Sequence, residues 1–131
     1  MGVKERGVDR TFFVIGAVFG AFGVAAGAFG AHALRARLAP EMLAVFETGV
    51  RYQLVHALGL LAVGWAAGRW TSRAVRAAGW LFVVGVFLFS GSLYVLCLTG
   101  IRGFGAITPI GGVAFIAGWL LLAWGAWRGD E

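Results

Sequence analysis

Four charge-free stretches, residues 11–34, 52–68, 77–101 and 103–127, take up most of this 131-residue chain, and its 11 basic and six acidic side chains are confined to the gaps and the ends. At about 1.5 Å of rise per helical residue, about 20 apolar residues cross a hydrocarbon layer roughly 30 Å thick. Three of the runs exceed that length and the second falls just short of it. The pattern predicts an all-α integral membrane bundle of four transmembrane helices, with spans near 11–34, 52–68, 77–101 and 107–127. It also predicts an amphipathic helical segment between the first and second spans. The longest polar interval, 35–51, is too short for a core of its own, so residues 1–131 read as a single domain.

Composition bears on what the chain meets. Apolar residues make up 60% of it, and Trp65, Trp70, Trp80, Trp124 and Trp127 fall near predicted span ends, as in an interfacial aromatic belt. In a soluble protein a net charge of +5 would suggest an anionic partner; here topology and lipid headgroups account for it, and nucleic acid is not expected. With an even number of spans, Lys4, Arg6, Arg10, Arg69, Arg73, Arg76 and Arg128 share one side, against Arg35, Arg37, Arg51 and Arg102 on the other. The positive-inside rule then places both termini in the cytoplasm. Cys97 has no second cysteine to pair with, so no intrachain disulfide or CxxC redox motif is available. The first span ends in small residues resembling a signal-peptide cleavage site, but its charge-free length reads as a retained anchor.

Within the first span, Gly16, Gly20, Gly23, Gly27 and Gly30 recur at spacings of four and three, which puts all five on one narrow helix face. Small residues let membrane helices approach closely, so the stripe reads as a helix-packing surface, repeated on the fourth span by Gly111, Ala114, Gly118 and Gly125. Turned inward it closes the bundle; turned outward it joins copies into a homo-oligomer. Pro40 and Glu41 mark a helix start. That helix either runs straight into the second span or lies on the membrane surface and bends near Gly49. Thr108-Pro109 marks the start of the last helix.

Polar side chains concentrate at His32, Glu47, Arg51, Tyr52, Gln53 and His56, near one end of the first two spans. Ionisable groups at membrane depth are costly and usually face the protein interior or a wet cavity. On a continuous helix Glu47 and Arg51 are four residues apart and can form an ion pair, and Tyr52 and His56 share a neighbouring face. Ser90, Tyr94 and Cys97 share a face of the third span. Each has a structural reading too: a headgroup staple for the ion pair, a hydrogen-bonded core imidazole for His56, interhelical bonds for the hydroxyls.

No nucleophile elbow, Walker loop or dinucleotide fingerprint is present, and no cofactor is called for. Two histidines 24 positions apart make a poor metal site, so none is assigned, although His32, Glu47 and His56 form the one set of three that convergence could bring together.

The run Ala26-Gly27-Ala28-Phe29-Gly30-Ala31-His32, followed by Arg51-Tyr52-Gln53-Leu54-Val55-His56, resembles the YgdD/YwdK-like family of small membrane proteins, known as domain of unknown function 423 and related to the animal transmembrane protein 256. Ser90-Gly91-Ser92-Leu93-Tyr94 and Thr108-Pro109-Ile110-Gly111-Gly112 extend the likeness over nearly the whole chain. The resemblance implies a four-helix protein of the bacterial inner membrane and supplies no activity. Glu47 departs from the family pattern of a small or apolar residue beside Thr48, which favours Arg51, Tyr52, Gln53 and His56 over an essential ion pair.

The expectation is a non-enzymatic membrane protein whose pocket of His32, Arg51, Tyr52, Gln53, His56, Ser90 and Tyr94, open to the outer side, binds a membrane lipid, a small hydrophobic ligand or a partner helix. The alternatives are an oligomeric transporter or channel subunit, and a membrane enzyme using His56 or His32 as general base with Tyr94 or Ser90 assisting.

Overall fold

The computed structural model describes residues 7–130, whose regular structure is entirely helical. Helix α1 (Arg10–Phe29) continues through a π-helical turn at Gly30–Leu34, and α2 (Pro40–Arg69) is a single helix of 30 residues, about 45 Å long. Helix α3 (Arg73–Gly85) passes through a second π-helical stretch, Val86–Gly91, into α4 (Ser92–Thr99), so the three form one rod. A 3₁₀ turn at Arg102–Ala106 leads to α5 (Thr108–Arg128). The four rods alternate in direction.

Local signals set the ends. Asp9 Oδ1 accepts from the amides of Thr11 and Phe12, capping α1, while Ser72 Oγ accepts from Val75 N and caps α3. Pro40 and Pro109 lie in first turns, where a missing N–H removes no helical bond. Gly100, in the left-handed conformation at φ 72°, terminates α4.

By length and composition, Arg10–Leu34, Arg73–Thr99 and Arg102–Arg128 are apolar enough to cross a membrane. The α2 rod, which carries Glu41, Glu47, Arg51 and Arg69, is the less apolar one and takes the inner position, with α1 along one side and the α3–α4 rod along another. One expectation needs correcting. Residues 40–50 are not a separate surface helix, because α2 runs unbroken through Gly49. That glycine serves close approach rather than a bend: a methyl group on it would meet the Tyr94 ring at 2.9 Å.

Lipid tails are as apolar as leucine, so such rods are held by van der Waals fit and interhelical hydrogen bonds rather than by expulsion of water. The α1 glycine stripe faces α2. A methyl on Gly16 would lie 2.8 Å from the Ala57 carbonyl oxygen, one on Gly23 2.7 Å from Leu54, and one on Gly30 2.9 Å from Phe46. Gly27 has 3.3 Å to Val50, and Gly20 has room, with its nearest neighbour at 3.9 Å. The face offered by the sequence to a second copy is therefore occupied within the chain. On the other side, α5 lies against α3, with Gly118 over Phe82 and Gly111 against the backbone of Phe89, while Phe115 fills the space above Gly85. Phe12, Leu60, Val63, Phe82, Val86 and Phe115 form the main buried cluster.

At the end that holds the start of α1 and the close of α5, Asp9 Oδ2 pairs with Arg76 Nη1 at 3.1 Å, and Asp130 Oδ1 accepts from Thr71 N at 2.9 Å. Arg10, Arg69, Arg73 and Arg128 lie at the same end, where Trp65, Trp80, Trp124 and Trp127 are exposed. Arg35, Arg37 and Arg102 lie at the opposite end, and Arg51 lies inside α2, between that end and Gln53. Lys4 and Arg6, counted above with the first group, fall outside the described residues.

Candidate functional site

Polar side chains of α2 and of the α3–α4 rod meet along α2. Gln53 Nε2 donates to the Phe19 carbonyl of α1 at 2.9 Å, and its Oε1 accepts from the Tyr94 hydroxyl of α4 at 2.7 Å. Ser90 Oγ donates to the Gly49 carbonyl at 2.7 Å, and Cys97 Sγ to the Met42 carbonyl at 3.2 Å. From α5, the Trp119 indole N–H donates to His56 Nε2 at 3.0 Å. Ser92 and Thr108 meet at 2.6 Å and join α4 to α5 directly. Among the described residues no buried side-chain nitrogen or oxygen is left without a partner. In lipid an unpaired group would cost several kcal/mol, so saturation of this kind fixes the helices in register.

His56 is the most constrained member. The residue is 3% exposed, and its ring lies parallel to Phe115 at a centroid distance of 3.5 Å and meets Phe82 edge-on at 5.2 Å. Nδ1 lies 2.7 Å from the Tyr52 carbonyl, which can only accept, so Nδ1 carries the proton. Nε2 faces the Trp119 N–H, which can only donate, so Nε2 must offer its lone pair. The two neighbours together dictate one neutral tautomer, and the lone pair a general base would use is already committed.

The residues expected to form one pocket separate into three groups. His32 is exposed near one end of the bundle, and Arg51 and Tyr52 are exposed further along α2; no ion pair joins Arg51 to Glu47, its expected partner, which is exposed too, and Tyr52 packs its ring on Phe89 at 4.5 Å. His56 and Ser90 are buried and saturated. Gln53 and Tyr94 line a cavity. His32, Glu47 and His56 do not converge, because two are exposed and the third is enclosed by aromatic rings.

That cavity is a lateral cleft of about 290 Å³ between α1 and the α3–α4 rod, lined by Val18, Phe19 and Phe22 on one side, by Val86, Phe87, Gly91 and Tyr94 on the other, and by Gln53 between them. Its volume sits at the lower end of the roughly 300–1,000 Å³ typical of ligand sites. The π-helical stretch supplies Val86, Phe87 and Gly91, and π-bulges occur often at functional sites. The polar wall is already hydrogen-bonded and the rest is hydrocarbon, so the cleft suits an apolar chain better than a polar headgroup. Sequence reading missed Val18, Phe19, Phe22 and Phe87, which in a membrane span carry no signal separating a cleft from a lipid-facing surface.

An antiparallel helical bundle with lipid-length apolar rods and its polar groups turned inward onto one shielded helix defines an integral membrane protein. The chain belongs to the family described as protein of unknown function (DUF423), whose model matches residues 26–112. It is 50% identical over 119 residues to a UPF0382 membrane protein of Staphylococcus saprophyticus, covering 91% of this chain and 98% of that one. It is 46% identical over 114 residues to the UPF0382 membrane protein YwdK of Bacillus subtilis, covering 86% and 93%. A UPF0382 membrane protein of Staphylococcus haemolyticus is 51% identical over 113 residues, covering 86% and 92%. No solved structure matches the chain.

Proposed function

We propose that the chain is a four-span protein of the bacterial plasma membrane, with both termini cytoplasmic, and that its lateral cleft binds the apolar tail of a lipid or lipid-like molecule without transforming it. The cleft is the observation that carries this reading: it lies at mid-height of two apolar rods, and its walls are almost wholly hydrocarbon. The length of α2, about 45 Å, supports a fourth crossing, since its Gln53 and His56 side chains bond to neighbouring helices instead of facing lipid. The basic residues at the terminal end support the orientation.

Relative to the pocket expected from sequence, the site moves inward. Arg51 and His32 drop out, and Gln53 and Tyr94 remain as its polar wall. Native mass spectrometry of the detergent-purified protein tests the reading, with wild type beside Gly91→Leu. A methyl on Gly91 meets nothing closer than 3.9 Å, so the larger side chain fills the cleft without displacing backbone. Wild type retains a bound lipid-sized mass and Gly91→Leu loses it. A bare wild type, or an equal mass in both, removes the cleft as a binding site.

A further inference from the structure

Resting on the cleft reading and extending it, we propose that the occupant is an anionic phospholipid of the leaflet on the terminal side, with its phosphate at Arg73 and Arg76 and one acyl chain running along α3 into the cleft. A second cavity, about 420 Å³ and lined by Thr71, Ser72, Arg73 and Arg76, opens at the start of α3. Arg76 is 62% exposed and commits Nη1 to Asp9, which leaves further guanidinium donors available. Arg73 is exposed and meets no acid among the described residues. A phosphate diester accepts from such planar, forked donors, whereas the choline of a zwitterionic headgroup would bring a cation against them.

Register links the two cavities. Arg76 and Phe87 are eleven residues apart, three helical turns, so they lie on nearly the same face of the rod. The rise between them is about 16 Å, close to half of a hydrocarbon layer roughly 30 Å thick. Between them Trp80 and Val84 expose 51% and 46% of their surface, offering an apolar track from headgroup level to the membrane midplane. Across that track the Asp9–Arg76 pair, the Phe12–Trp80 contact at 5.2 Å and the Phe19–Phe87 contact at 5.7 Å mark the seam between α1 and α3, below which the cleft opens. The length of one acyl chain therefore matches the distance from the arginine cavity to the cleft.

The test reconstitutes the full-length protein in a one-to-one mixture of phosphatidylglycerol and phosphatidylcholine with identical acyl chains, strips loosely held lipid with mild detergent, and measures what remains. Wild type retains phosphatidylglycerol over phosphatidylcholine by about tenfold, as expected for two arginines at a headgroup. Arg73→Gln, which removes no partner among the described residues, and Arg76→Gln both bring that ratio towards one. Gly91→Leu lowers retention of both lipids together. Equal retention of the two lipids by wild type, or an undiminished ratio in both arginine variants, overturns the proposal, as does displacement of phosphatidylglycerol by excess inorganic phosphate, which would mark a free-anion site. If the ratio depends on Arg73 while Gly91→Leu holds as much lipid as wild type, the acyl chain lies elsewhere: the cleft reading fails and the headgroup selectivity survives it.

Discussion

The Trp119 indole N–H points at Nε2 of His56 across the α5–α2 interface, 3.0 Å away, and this contact turns the one buried imidazole of the chain from a candidate base into a structural acceptor. A protonated Nε2 would set two donors against each other in a site enclosed by Phe82 and Phe115. Trp119→Phe keeps an aromatic ring but removes the donor, leaving a buried lone pair unpaired at a cost of about 1–3 kcal/mol. A lowered thermal midpoint of the purified protein is the expected outcome. Nitrogen-15 NMR of His56 should show Nδ1 protonated and Nε2 not; the opposite assignment would sink the account of this site.

The glycine stripe makes a graded prediction. Gly16→Ala places a methyl 2.8 Å from the Ala57 carbonyl oxygen and Gly111→Ala sets one against the Phe89 backbone, atoms that cannot rotate away, so each should destabilise by about 1–3 kcal/mol. Gly20→Ala, with 3.9 Å to its nearest neighbour, should be neutral or slightly stabilising, since alanine restricts the unfolded chain and favours helix. Thermal unfolding of the three variants ranks them. A loss at Gly20 equal to that at Gly16 would mean the α1 stripe packs against something other than α2.

Gln53 joins three helices through Phe19 and Tyr94. A double-mutant cycle of Gln53→Leu and Tyr94→Phe, read by denaturant unfolding in mixed micelles, should give a coupling of about 0.6 kcal/mol and at most about 1.7, the range found for hydrogen bonds between membrane helices. Zero coupling would place the two side chains apart.

Orientation and the crossing of α2 can be read together. In a Cys97→Ala background, Arg37→Cys and Thr71→Cys flank α2 at opposite ends. Labelling of intact cells with an impermeant maleimide should modify Arg37→Cys, and Thr71→Cys should react only after permeabilisation. Labelling of both from the same side would leave α2 uncrossed; the reverse pattern would invert the protein.

Much of the fold was legible because the membrane constrains sequence so strongly. Charge-free runs of bilayer length gave the helices, Pro40 and Thr108-Pro109 gave two of the starts, and the resemblance to the DUF423 family carried over to the matched residues. The site was less legible. Gln53, His56, Ser90 and Tyr94 stood out as polar residues in apolar runs, but which of them face a cavity and which are saturated depends on partners 34 to 63 residues away in the chain. Arg51 and His32 stood out as polar residues near them and turned out exposed.

The order of charges and apolar runs determined by itself that this chain forms lipid-length helices, because burying a charge or an unpaired amide in hydrocarbon is too costly to leave other choices. Only the tertiary structure decided that the α1 glycines close onto α2, that Trp119 commits the lone pair of His56, and that a cleft lined by Phe19 and Phe87 opens between α1 and the α3–α4 rod. Those outcomes depend on the rotation and register of one rod against another, which small residues permit in several ways and specific cross-helix contacts reduce to one.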